Sequence, residues 1–195
     1  MYYYISMNTI NHLKKIIIHK YNVAYYCFMC GLYWQGIIHD MSKFSFTEFW
    51  ESVKYYQGDR SPIDACKEAK GYSMAWFHHK GRNKHHWEYW MDDFEKGCIP
   101  KKMPFQYALE MVCDYLGAGR AYCGKNFTMQ SEWEWWQNKK KVVKMHSDTF
   151  KLVEILMNRM NEIGIKETLT DKTYISELFV RYEYSIINEL WKANY

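Results

Sequence analysis

The stretch Gly36-Ile37-Ile38-His39-Asp40-Met41-Ser42-Lys43-Phe44 sets a histidine and an aspartate in tandem after two aliphatic residues, with a lysine three positions past the aspartate. Adjacent side chains on a helix point about 100° apart, so His39 and Asp40 reach one metal only near a helix end or turn. Other segments must then supply the remaining ligands, and the fold is read as whatever brings them to this stretch.

Working toward the N-terminus, Ile10, Leu13, Ile16, Ile17, Val23, Ala24, Cys27, Phe28 and Cys30 recur at threes and fours and predict an amphipathic helix from Asn8 to about Leu32. His12 and His19, seven apart, share a face of it, and Gly31 and Gly36 bracket its exit. Toward the C-terminus, Ser45 with Glu48 reads as a capping box opening a helix through Tyr56, which Gly58-Asp59-Arg60 breaks. Ser61-Pro62 supplies an N-cap and first-turn proline for a helix to about Phe77, interrupted at Gly71.

Four of the eight histidines then fall in the turn His78-His79-Lys80-Gly81-Arg82-Asn83-Lys84-His85-His86, before a short helical segment from Trp87 to Trp90. Beyond a loop marked by Gly97 and Pro100, helices are predicted from Pro104 to Ala118, from Thr128 or Ser131 through the tryptophans, from Ser147 or Asp148 to Gly164, and from Thr173 to Trp191. There is no internal repeat and no strand pattern. The expectation is a compact all-α fold of about seven or eight helices, with a metal-binding domain over residues 8–164 and a helical extension over 165–195 packed on it.

Composition narrows the class. At 195 residues, 48% hydrophobic and 19% aromatic, the chain is long and apolar enough to bury a core, which excludes global disorder. A net charge of +4 is too mild to call for nucleic acid and suits a small anionic substrate. The uncharged run Val23 to Ile38 is shorter than the roughly 18–20 residues of a membrane span, and no secretory signal opens the chain. Six cysteines scattered through helical patterns read as reduced thiols, so a cytoplasmic location without a membrane partner is expected; a homo-oligomer is compatible with the sequence.

The candidate ligands are His19, His39, Asp40, one or two of His78, His79, His85 and His86, and Asp114. Asp114 is informative because it lies in Met111-Val112-Cys113-Asp114-Tyr115-Leu116, where an unpaired carboxylate would be costly. Mixed imidazole and carboxylate donors suit one or two divalent transition metals, Fe, Mn, Zn or Co, better than Ca.

On these residues the chain resembles the HD-domain metal-dependent phosphohydrolase superfamily. The segments His19-Lys20-Tyr21-Asn22-Val23-Ala24, Ile37-Ile38-His39-Asp40-Met41-Ser42-Lys43 and Met111-Val112-Cys113-Asp114-Tyr115-Leu116-Gly117-Ala118 carry the likeness, over roughly residues 12 to 125. Residues 12 to 150 also look like an uncharacterised bacterial and phage domain family. The resemblance implies that His19, His39, Asp40 and Asp114 hold one metal, with Asp40 bridging to a second held by His79 and His85 or His86. It gives Asp40 and Lys43 catalytic roles, and Lys80, Arg82 and Lys84 are expected to bind the substrate's anionic group. The expected activity is hydrolysis of a nucleotide or other small phosphate ester by a metal-activated hydroxide. After His78-His79 the chain departs from the branch that cleaves cyclic dinucleotides, and Lys43 stands where a nucleotidase branch has Glu, so the substrate stays open. Two alternatives are an HD-type di-iron oxygenase and a non-catalytic protein that binds and sequesters a nucleotide.

Overall fold

The computed structural model describes residues 2–194, with side chains described over residues 7–185. Ten α-helices dominate: α1 (Tyr2–Met29), α2 (Tyr33–Ile38), α3 (Phe46–Lys54), α4 (Pro62–Lys70), α5 (Met74–Lys80), α6 (Phe105–Cys123), α7 (Met129–Lys139), α8 (Ser147–Ile163), α9 (Ile165–Leu169) and α10 (Lys172–Asn194). The all-α expectation holds. The helices outnumber the expected seven or eight because short helices form where the sequence reads none, α2 after Gly31 and α9 after Gly164, and positive-φ glycines mark the breaks. Gly71 at φ +80° ends α4, and Gly164 at φ +106° separates α8 from α9, part of what the sequence reads as a polar linker. Among the described residues the strand content is one two-residue ladder, β1 (Met91–Asp92) antiparallel to β2 (Ile99–Pro100), pairing Met91 with Pro100.

Helices α1 and α6 form the spine. Their contact is close because Gly117 of α6 lies against Val23: a Cβ at position 117 would lie 3.0 Å from the Val23 backbone nitrogen and closer still to its side chain. The core built on this pair includes Val23, Leu109, Met111, Val112, Leu116, Trp136, Leu156 and Met160. The predicted C-terminal helix is α10; its side chains beyond Ser185 lie outside the described residues. Leu178 and Tyr182 of α10 belong to the same core, and the Tyr182 hydroxyl donates to the Met103 carbonyl at 2.5 Å. Lys102 ties the junction further, pairing with Asp148 at 3.0 Å and donating to the Tyr182 carbonyl.

The predicted caps are partly replaced. Ser45 does accept from the Glu48 N–H, but the Glu48 carboxylate turns to histidines instead of closing a capping box. Ser61 makes no cap bond, and His146 rather than Ser147 or Asp148 caps α8. Thr128 and Ser131 close a reciprocal box on α7. The six cysteines are free thiols, with Cys30 Sγ 3.8 Å from Cys113 Sγ. Among the described residues no helix is long and apolar enough to cross a membrane.

Two substitutions probe this frame. Gly117→Ala forces α1 and α6 apart and should cost about 1–3 kcal/mol in urea unfolding; an unchanged midpoint would show that the pair has slack. Glu132 of α7 is buried beside Gly119, and burial together with the Asp114 charge lifts its pKa to about 7. Its folded-state pKa lies above the unfolded value, so its contribution to stability is full below about pH 4.5 and is lost as pH rises through about 7. Glu132→Gln removes that loss: the stability of the variant relative to the parent should rise by up to about 3 kcal/mol between pH 5 and pH 8. A pH-independent difference would contradict the assignment.

Candidate metal centre

The geometry begins with how α2 ends. His39 leaves the helix at φ −47°, ψ 129°, and Asp40 takes a left-handed conformation at φ 55°, ψ 25° before a 3-10 turn over Met41–Phe44. Aspartate tolerates that region better than most side chains, and here the turn lets two adjacent residues aim at one point.

Two ligand sets meet at Asp40. In the first, His19 of α1, His39, Asp40 and Asp114 of α6 converge. His19 Nε2 lies 3.1 Å from Asp40 Oδ2 and 3.1 Å from Asp114 Oδ1; His39 Nε2 lies 3.3 Å from each of those oxygens and 3.3 Å from His19 Nε2. Donor atoms bound at about 2.1 Å to one ion sit about 3.0 Å apart in an octahedron and about 3.4 Å apart in a tetrahedron, so these separations fit a shared transition metal. In the second set, the other carboxylate oxygen, Asp40 Oδ1, faces His79 Nε2 at 3.3 Å and His85 Nε2 at 3.4 Å, with His86 completing the group.

Satisfaction of buried polar atoms supports the fit. Asp40 Oδ1, His85 Nε2 and His86 Nε2 are buried and have no hydrogen-bond partner among the described residues. Three such atoms converging on one point would be expensive without a cation. The charge balance agrees, because the Asp40, Asp114, Glu110 and Glu48 carboxylates are all buried in this cluster with Lys43. These buried His, Asp and Glu groups could hold a metal ion.

A further layer fixes the rings. Glu110 Oε1 sits 2.9 Å from His39 Nδ1 and 3.2 Å from His85 Nδ1, so one carboxylate oxygen orients a histidine from each set and leaves both Nε2 atoms free for metal. Glu48 takes His79 Nδ1 at 2.7 Å and His78 Nδ1 at 2.5 Å, which makes His78 a supporting neighbour outside the ligand sets. Neither acid was among the candidates from sequence. Glu110 lies one helical turn before Asp114 and so shares its face of α6; that spacing was the available signal.

Protonation follows from the same contacts. Burial opposes charge on Asp40 and Asp114, yet His39 and Lys43 hold Asp40, and His19 and His39 hold Asp114, well below the usual carboxylate range. Burial opposes charge on His39 too, and the Asp40 and Asp114 carboxylates overcome it, raising its pKa well above the ordinary value. Burial wins at His79 and His86, which are pushed down and stay neutral, the form that binds metal.

Lys43 Nζ lies 2.6 Å from Asp40 Oδ2, and burial is outweighed by the Asp40 and Asp114 charges that keep it protonated. It lines a cavity of about 180 Å³ that reaches His19, His79, His86 and Asp114 and continues past His12, Lys15, Trp76 and Tyr122. Lys80, Arg82 and Lys84 are not part of this lining. Lys80 lies by the Phe77 ring and Lys84 by the Tyr107 ring, and Arg82 is exposed. Lys80 ends α5, and Arg82 and Lys84 sit on the turn between it and His85. Among the described residues the lysines in the lining are Lys43 and Lys15, and the Lys15 ammonium donates to the Ala121 carbonyl at 2.9 Å.

Fold and site together define an all-α protein with a buried, aspartate-centred cluster of histidines able to hold metal. The chain belongs to DUF5662, a family of unknown function, whose model matches residues 8–159. That span carries every residue of both ligand sets. No curated protein and no solved structure matches the chain.

Replacing Glu110 by Gln should weaken metal binding about 10- to 100-fold in a competitive chelator titration, because both Nδ1 anchors lose their charged acceptor. Unchanged affinity would remove Glu110 from the support of the site.

Proposed function

We propose that the protein is a metal-dependent phosphohydrolase acting on a nucleotide or other small phosphate ester. The observation that carries this reading is the pair of buried ligand sets sharing Asp40 beside a cavity lined by Lys43 and Lys15. The residues resemble those of HD-domain phosphohydrolases in type and order, and the resemblance names the reaction class.

Two divalent ions bound side by side supply a water of lowered pKa and neutralise charge on a phosphate. The chain's own groups do the rest. Asp40 presents one oxygen to each set, His19, His39 and Asp114 complete the first, and His79, His85 and His86 complete the second. Lys43 uses one N–H on Asp40 and has two more to offer a phosphate oxygen, at the boundary between the ligands and the open cavity. The cavity volume of about 180 Å³ suits a small ester better than a dinucleotide. The same donors would also serve a di-iron oxygenase; Lys43 and Lys15 in the lining favour an anionic substrate and so the hydrolase.

Protein reconstituted with Mn, Fe, Zn or Co should release inorganic phosphate from members of a phosphomonoester panel, and a chelator should abolish the release. Lys43→Ala should lower kcat/KM by about 10- to 100-fold while metal content is retained. Release that survives chelation, or no release with any metal, contradicts the reading, and substrate oxidation that consumes O₂ would move the protein to the oxygenase class.

A further inference from the structure

His12 stands apart from both ligand sets, and its surroundings give it work of a different kind. It is 6% exposed, lines the cavity, and its Nδ1 is buried with no hydrogen-bond partner among the described residues. Its ring is held between Phe49 and Tyr56, at centroid distances of 5.4 and 5.6 Å. Leaving a buried ring nitrogen unpaired carries a desolvation cost that an apolar side chain among these aromatics would not carry. The ring itself borders the cavity, so a group that enters there meets a side chain with unused hydrogen-bonding capacity.

We propose that His12 recognises a hydroxyl group on the organic part of the substrate, which makes the preferred ester a phosphorylated sugar or other polyol. This rests on the phosphate-ester reading above and adds the substrate class to it. Position supports it. His12 is seven residues before the metal-set residue His19 on α1, a rise of about 10 Å along the helix, so one molecule with its phosphate at the metals and a short organic body extends toward it. Chemistry supports it as well. Burial and the nearby Lys43 charge hold the His12 pKa at about 4, so the ring is neutral and offers one N–H and one lone pair. That pair complements a hydroxyl, whereas a second phosphate would call for a cation. Ser52, Ser61 and Tyr122 add hydroxyls to the same lining, and the Ser61 side chain is not used as a helix cap.

The test compares two non-hydrolysable probes of equal chain length, a tetrahydroxypentylphosphonate and n-pentylphosphonate, by calorimetric titration of the metal-reconstituted full chain. The parent should bind the polyol probe at least about tenfold more tightly, as expected for one to two buried hydrogen bonds. His12→Phe keeps a ring between Phe49 and Tyr56; it should cut the preference to within about threefold, with metal content and n-pentylphosphonate affinity unchanged. His12→Asn returns a polar atom near the Nδ1 position and should restore part of the preference. A parent without preference, or a His12→Phe variant that keeps it, overturns the proposal. Preference intact but no ester hydrolysed overturns the hydrolase reading alone, and a parent that binds neither probe overturns both.

Discussion

The carboxylate of Asp40 is the constraint on which the site depends. One oxygen faces His19 and His39, the other faces His79 and His85, and Lys43 approaches from the cavity side. A buried carboxylate with this many partners is stable only if all of them are held in place, because an unpaired charge in that position costs several kcal/mol. The left-handed turn at Asp40 serves this arrangement: with a helical residue there, His39 and Asp40 would point apart.

The helices serve the same end. Close packing of α1 on α6 at Gly117 sets His19 against Asp114, and the short helices α3 and α5 bring Glu48 under His79. Glu110 then couples the two halves through a single oxygen. A metal in either set would therefore be held by ligands whose orientation depends on the other, so the two sets would behave as one unit rather than as independent sites.

Much of this was legible in the residues. The His39-Asp40 tandem demanded a turn, and Asp114 amid apolar neighbours demanded a partner; His19 was singled out by its helix face and its likeness to a known motif. The histidine cluster is visible in the sequence, but His78 and His79 lie on α5 while His85 and His86 lie in the loop after it, so no single periodicity tells which of the four face inward. Glu48 was hidden because its spacing from Ser45 matches a helix cap, and tertiary contact overrode the local rule. The expectation for Lys80, Arg82 and Lys84 rests on proximity in sequence to the histidines, which does not bring a side chain into the cavity lining. His12 was seen to share a face with His19; its burial and its unpaired nitrogen required the packing of α3.

Anomalous scattering from a crystal of the metal-loaded protein tests the central claim most directly. The account predicts two peaks flanking Asp40, one among His19, His39 and Asp114 and the other among His79, His85 and His86. Crystals in which the loaded metal gives no peak at Asp40, or a peak only on surface residues, would contradict it.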